Sequence, residues 1–250
     1  MPAIRAAQAA TFTVTNLNDN GANSLRQAVL DANAAAGADT ITFQAGLTGT
    51  ITLTTGQLVV ADSVDIQGPG AGALSVSGND VSRVFYLYNN LGPIDITISG
   101  LTVTGGSAAN GAGIANIREN LLLDGVLLTG NHATSNGGGL WGDSTSTSLT
   151  IRDCTITGNT AANGAGIYLY HTFGPVLIET TSIRNNDATV NGGGLHVFFL
   201  YDDFNLADST VSGNTAGEKG GGVYIDVTRG VSAINSGVQH VTRSTISGNT

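Results

Sequence analysis

A four-residue phrase, an apolar residue followed by Ser or Thr, Gly and Asn, recurs in step along this chain and narrows its folding options more than any other feature. It reads Val76-Ser77-Gly78-Asn79, Leu128-Thr129-Gly130-Asn131, Ile156-Thr157-Gly158-Asn159, Val211-Ser212-Gly213-Asn214 and Ile246-Ser247-Gly248-Asn249, with variants at Val103-Thr104-Gly105-Gly106 and Ile183-Arg184-Asn185-Asn186. Successive copies stand 25 to 35 residues apart. A second phrase follows at a fixed short distance: Asn110-Gly111-Ala112-Gly113-Ile114, then residues 136–140, 163–167, 191–195 and 219–223. Two phrases in phase define one structural unit, repeated.

Between the glycine turns lie short alternating runs rich in β-branched residues, such as Leu149-Thr150-Ile151 and Thr155-Ile156-Thr157. A unit of this length, read here as three short strands and three turns, cannot bury its apolar face alone, so neighbouring units must stack. The predicted fold is all-β, a right-handed parallel β-helix (solenoid) with an N-terminal capping helix. Leu149, Ile151 and Ile156 should point inward, and Thr155 and Thr157 outward. Stacking puts each asparagine over its counterpart one coil away. Asn131, Asn159, Asn186 and Asn214 should form one amide ladder, and Asn110, Asn136, Asn163 and Asn191 a second.

The N-terminal segment departs from the repeat. Ser24-Leu25-Arg26-Gln27 has the form of a capping box, and Leu25, Ala28, Val29 and Ala32 follow at helical spacing. A helix from Leu25 to about Ala36 is expected to cover the open end of the core. Residues 1–10, with Ala7-Gln8-Ala9, read as the remnant of a signal peptide. Residues 11–250 read as a single β-helix domain, with 11–60 as cap and first coils and 61–250 as repeat coils. Because Thr250 directly follows a repeat phrase, the last coil is expected to continue or to pair its edge with another chain.

Charged residues make up only 11% of the chain, with a net of -9 and a single lysine, Lys219. Such a chain has no basic footprint for nucleic acid or an anionic membrane. No apolar run is long enough for a transmembrane helix. The one cysteine, Cys154, excludes an intrachain disulfide and is expected to be a buried, inert thiol.

Residues 14–19, 23–28 and 38–41, including Asn23-Ser24-Leu25-Arg26-Gln27-Ala28, resemble the N-terminal region of secreted bacterial β-helix proteins marked by a C-S-L-R-E-A phrase. Asn23 and Gln27 stand where that phrase has cysteine and glutamate. The Gly-Gly-Gly-Leu and Ser-Gly-Asn repeats are similar to those of polymorphic outer-membrane proteins and of the pectate-lyase-like superfamily. The resemblance implies a secreted or bacterial cell-surface location. It implies no catalytic residue, because lyases, hydrolases, adhesins and passive stalks share this fold.

The residues themselves offer little chemistry. Arg152 and Arg184 are read as lying near one sheet, without the acids of a calcium site. Asp202-Asp203 is read as a solvated loop with Tyr201 and Phe204. The four histidines, His132, His171, His196 and His240, lack zinc-site spacing. No cofactor and no metal is expected. Ser and Thr recurring around Val76, Val103, Ile156, Val211 and Ile246 make a hydroxyl array resembling the T-x-T face of ice-binding β-helices, interrupted by Leu127 and Arg184. A second stripe follows the triple-glycine turns. Trp141, Tyr168, His196 and Tyr224 should form one outward column, and Asp143, Tyr170, Phe198 and Asp226 the next. These eight residues are the candidate glycan-binding site, with a polysaccharide or cell-surface glycan as partner. The expected role is adhesion, glycan binding or a structural stalk. A carbohydrate-active enzyme of lyase or hydrolase type is the alternative, and ice binding a minor one.

Overall fold

The computed structural model describes residues 9–143, 147–172, 174–200, 202–226 and 238–250. Most of the expected leader, Tyr201 and Arg229 therefore lie outside the described residues. Among those described, the strands form four parallel sheets of nine, eight, seven and five strands. The chain is a β-solenoid, and one coil shows how it is built. Leu149–Arg152 lies in the nine-stranded sheet, Thr155–Thr157 in the eight-stranded, Thr160–Asn163 in the five-stranded and Ile167–Thr172 in the seven-stranded. Each strand pairs in register with its counterpart one coil on, as in Leu149 with Val176 and Ile156 with Ile183.

The coil thus has four strands where the sequence suggested three. The extra one is short and built on alanine, so it carries no strong alternating signal. Its inward Ala133, Ala161 and Ala188 pack with Ala112 and Ala165 into a small cluster separate from the main core. The main core holds the expected inward residues, with Leu149 at 4% exposure and Ile151 and Ile156 at 0%.

Both amide ladders are present, and they flank the five-stranded sheet. In the first, the Nδ2 of Asn131, Asn159, Asn186 and Asn214 each donates to the Oδ1 of the asparagine one coil on, ending at Asn249, at 2.9–3.0 Å. That oxygen also accepts the backbone N–H of the donating asparagine, at 3.0–3.1 Å. In the second, donation runs the opposite way, from Asn136 to Asn110, Asn163 to Asn136 and Asn191 to Asn163. Lys219 occupies the next position in this column, so the buried Oδ1 of Asn191 accepts no hydrogen bond. The triple glycines answer to the first ladder. A Cβ on Gly139 would stand 2.6 Å from the Gly166 carbonyl and 3.2 Å from Nδ2 of Asn159, and Gly194 meets Asn214 in the same way.

The helix, α1, spans Leu25–Ala34, slightly shorter than expected. Its buried residues are Leu25, Ala28, Val29 and Ala32, and it packs against Thr11–Val14, Asp39–Phe43 and Leu58–Val60, among the first strands of their sheets. Ser24 caps it by accepting the N–H of Gln27. The capping box is only half formed, because the Gln27 amide reaches forward to Asp31 and not back to Ser24. The Ser24 N–H instead goes to the Gly21 carbonyl, and nearby Asp19 ties the helix to the next coil, its Oδ1 pairing with Arg26 at 2.7 Å while Oδ2 accepts from the backbone and hydroxyl groups of Thr54 and Thr55. Burial works against this charge, but the bonds from Thr55, Arg26 and Thr54 hold the carboxyl well below the usual range.

Candidate functional site

Outward positions of the seven-stranded sheet collect the aromatic side chains. Because successive residues of a strand face opposite ways, Leu140, Ile167 and Leu195 enter the core while the residue after each faces out. Register places Tyr86, Ala115, Trp141, Tyr168, His196 and Tyr224 in one column. Tyr88, Ile117, Asp143, Tyr170, Phe198 and Asp226 form the next. Every described tyrosine and the sole tryptophan therefore stand on the outer face of one sheet.

The rings pack on one another along the axis. Tyr170 and Phe198 stack at 5.7 Å with planes 7° apart, and His196 lies 4.9 Å from Tyr168 and 4.8 Å from Tyr224. Lys219 sits 5.7 Å above Tyr224, and Arg83 sits 5.1 Å from Tyr86. Both columns form as the sequence predicts, but the surface is not a uniform plane. Tyr168 is only 7% exposed and His196 only 4%, whereas Trp141, Tyr170, Phe198 and Tyr224 are half-buried. Direction follows from alternation along a strand, but burial depends on neighbours in adjacent coils and on the second column beside them. Among the described residues, neither ring nitrogen of His196 has a hydrogen-bond partner. Burial pushes its pKa down to about 4, opposed by Asp226, so it is a neutral packing ring at pH 7. Burial likewise pushes Tyr168 up to about 12, helped by Tyr170 and Asp226.

The chemistry-bearing residues elsewhere are mostly tied into structure. Arg152 and Arg184 lie in different sheets, the nine- and the eight-stranded, contrary to the reading that grouped them. Arg152 pairs with Asp124 at 2.7 Å. Phe204 is not a loop residue but a 1% exposed core side chain, and Asp203 accepts the N–H of Val238. His132 opens a strand, and its Nδ1 lies 2.7 Å from the Thr160 hydroxyl. Among the described residues, no three His, Cys, Asp or Glu side chains converge as a metal site. The hydroxyl array on the eight-stranded sheet is in register, with Leu127 in one column and Arg184 in the other, but Thr102 is buried and donates to the Ala71 carbonyl.

Cys154 is buried, and desolvation pushes its thiol up to about 12, so no thiolate nucleophile exists there at neutral pH. Its role is a rung in a third ladder that sequence reasoning missed. Sγ accepts the Val126 N–H, and the hydroxyls of Thr181, Ser209 and Ser244 do the same for Cys154, Thr181 and Ser209 in turn. The letters differ from coil to coil, which hides the column.

The sequence comparisons agree with this architecture. The family described as "Right handed beta helix region" matches residues 49–216, about two thirds of the chain. The repeat of the Chlamydia polymorphic membrane protein matches residues 208–226. No curated protein matches. The chain belongs to the right-handed β-helix family. More narrowly, its residues 208–226 are similar to the repeat of the polymorphic membrane proteins. Among the described residues no helix is long and apolar enough to cross a membrane.

Proposed function

We propose that this chain is a secreted or cell-surface β-helix module whose seven-stranded sheet binds a glycan through its outer face. One observation carries the reading: all the described tyrosines and the only tryptophan share that face, although three other sheets offer outward positions. Chance and β-propensity would spread them around the solenoid. Half-buried rings in line along the axis, at steps of about 4.8 Å, suit the apolar faces of successive sugar units. Asp143 and Asp226 stand among them and can accept hydroxyl hydrogen bonds. The match to a membrane-protein repeat supports a surface location.

The buried pair Tyr168 and His196 favours a second reading, a structural stalk in which stacked rings reinforce coil packing. A glycan-array screen followed by calorimetry separates the two. Trp141→Ala and Tyr170→Ala should each weaken glycan binding by about 1 to 2 kcal/mol with unfolding unchanged. Tyr168→Ala, at a ring only 7% exposed, should instead cost stability. If no glycan binds, or if Trp141→Ala and Tyr170→Ala lose only stability, the stalk reading replaces this one. Product release from the glycans in the same screen would point to the enzyme alternative.

A further inference from the structure

We propose that a hollow at one end of the aromatic face captures the carboxylate of an acidic sugar, with Arg118 pairing the carboxylate and Tyr88 packing against the ring. The inference extends the glycan reading by naming the unit that fixes one end of the chain.

The hollow, about 330 Å³, is lined by residues 88–93 and Arg118. Its wall is a loop that enters no sheet and exposes Leu91 at 91%. A single buried side chain holds that loop at both ends. Glu119, 0% exposed, accepts the N–H of Asn89 at 2.6 Å on Oε1 and that of Ile94 at 2.8 Å on Oε2. Asn89 adds a bond from its amide to the Ala61 carbonyl and accepts the N–H of Leu91. Burying a carboxylate is unfavourable unless its oxygens are well satisfied. Here both oxygens serve the loop, so the charge shapes the hollow and not the core. A loop held this way is formed before a ligand arrives, which lowers the ordering cost of binding.

Arg118 supplies the charge. It sits at φ 65, a conformation uncommon for a side chain of its size, and is exposed. Among the described arginines, Arg26, Arg83, Arg152 and Arg243 are bound to carboxylates, carbonyls or amide oxygen. Arg118 makes no side-chain hydrogen bond or ion pair among the described residues, and Glu119 balances its charge only at a distance through space. Arg184 is also unpaired, but it stands on the open eight-stranded sheet. No carboxylate lines the hollow. A guanidinium with free donors matches a carboxylate bidentately.

Position selects the ligand further. Tyr88 heads the column that continues through Ile117 and Asp143 to Tyr170, three coils away, or roughly 14 Å at strand spacing. Asp143 and the net charge of -9 disfavour acids along the face. The fit is a largely neutral glycan carrying one acidic unit at Arg118, not a polyanion.

The test uses the intact chain with glucuronic acid and glucose, which differ by one carboxylate, followed by amide chemical-shift titration at pH 7. Glucuronate should bind at least tenfold more tightly than glucose and shift the amides of residues 88–94 and 118. Arg118→Gln should abolish that preference with thermal unfolding unchanged, and Tyr88→Ala should weaken both sugars. Equal binding of the two sugars, or a preference that survives Arg118→Gln, overturns the proposal. That result beside neutral-oligosaccharide binding sensitive to Tyr170→Ala overturns it while leaving the face reading intact. Glucuronate held through Arg118, with no glycan sensitive to Trp141→Ala or Tyr170→Ala, supports the hollow and removes the extended face.

Discussion

Replacing Asn159 with alanine removes an internal rung of the first amide ladder, and the structure fixes what is lost. Its Nδ2 donates to the carbonyl of Leu128 at 3.0 Å and to Oδ1 of Asn186 at 3.0 Å. Its Oδ1 accepts the backbone N–H of Asn131 at 3.1 Å and the Asn131 amide at 3.0 Å. Some of these partners keep other bonds. The Asn131 amide still reaches the carbonyls of Val103 and Thr129, and Oδ1 of Asn186 still accepts the N–H of residue 159. The Asn131 N–H is left without its acceptor in a site where Asn131 is 1% exposed. An orphaned buried donor costs about 1 to 3 kcal/mol, and each further lost bond about 1 kcal/mol. The variant should therefore lose about 4 to 6 kcal/mol. Asn163→Ala in the half-buried second ladder should lose about 1 kcal/mol, where water replaces the missing partners. Urea unfolding followed by far-ultraviolet circular dichroism measures both, with the slope compared to detect loss of cooperativity along the solenoid. A loss under about 0.5 kcal/mol for Asn159→Ala would refute the reasoning.

Two further outcomes are expected. His196 has a folded-state pKa of about 4 against an ordinary 6.5, so the unfolded chain binds a proton that the native state refuses. Its contribution is complete above pH 6.5, falls by about 3 kcal/mol as pH drops from 6.5 to 4, and is level below that. The difference in stability between wild type and His196→Phe should trace that curve, and a flat difference would show that the ring is not buried. Leu25, 0% exposed on α1, should cost about 2 to 5 kcal/mol when changed to alanine. Leu25→Asp should expose strand edges and aggregate in light scattering, and a soluble, monomeric Leu25→Asp variant would remove the capping role.

Much of the fold was legible because a repeat reports its own register. Asn131, Asn159, Asn186 and Asn214 keep one identity, so their column is visible without coordinates. The thiol–hydroxyl ladder of Cys154, Thr181, Ser209 and Ser244 performs the same task with changing letters, so only structure reveals it. Tyr86 and Tyr88 were missed as members of the aromatic face because the strand they occupy follows Arg83-Val84 and not a glycine triplet. The Asp19–Arg26 contact and the Glu119 cradle join residues whose pairing depends on loops outside the repeat. The burial of Tyr168 and His196 depends on contacts between coils, which alternation within one strand does not encode.

Trp141 is the only tryptophan in the chain and stands half-buried at the centre of the aromatic face, so its fluorescence reports on that face alone. Titrating the glycan selected by array should change its emission in a saturable way, and Tyr170→Ala should move the midpoint to about 5- to 30-fold higher concentration, equivalent to 1 to 2 kcal/mol. Emission that stays constant while calorimetry registers binding would place the glycan elsewhere and contradict the account.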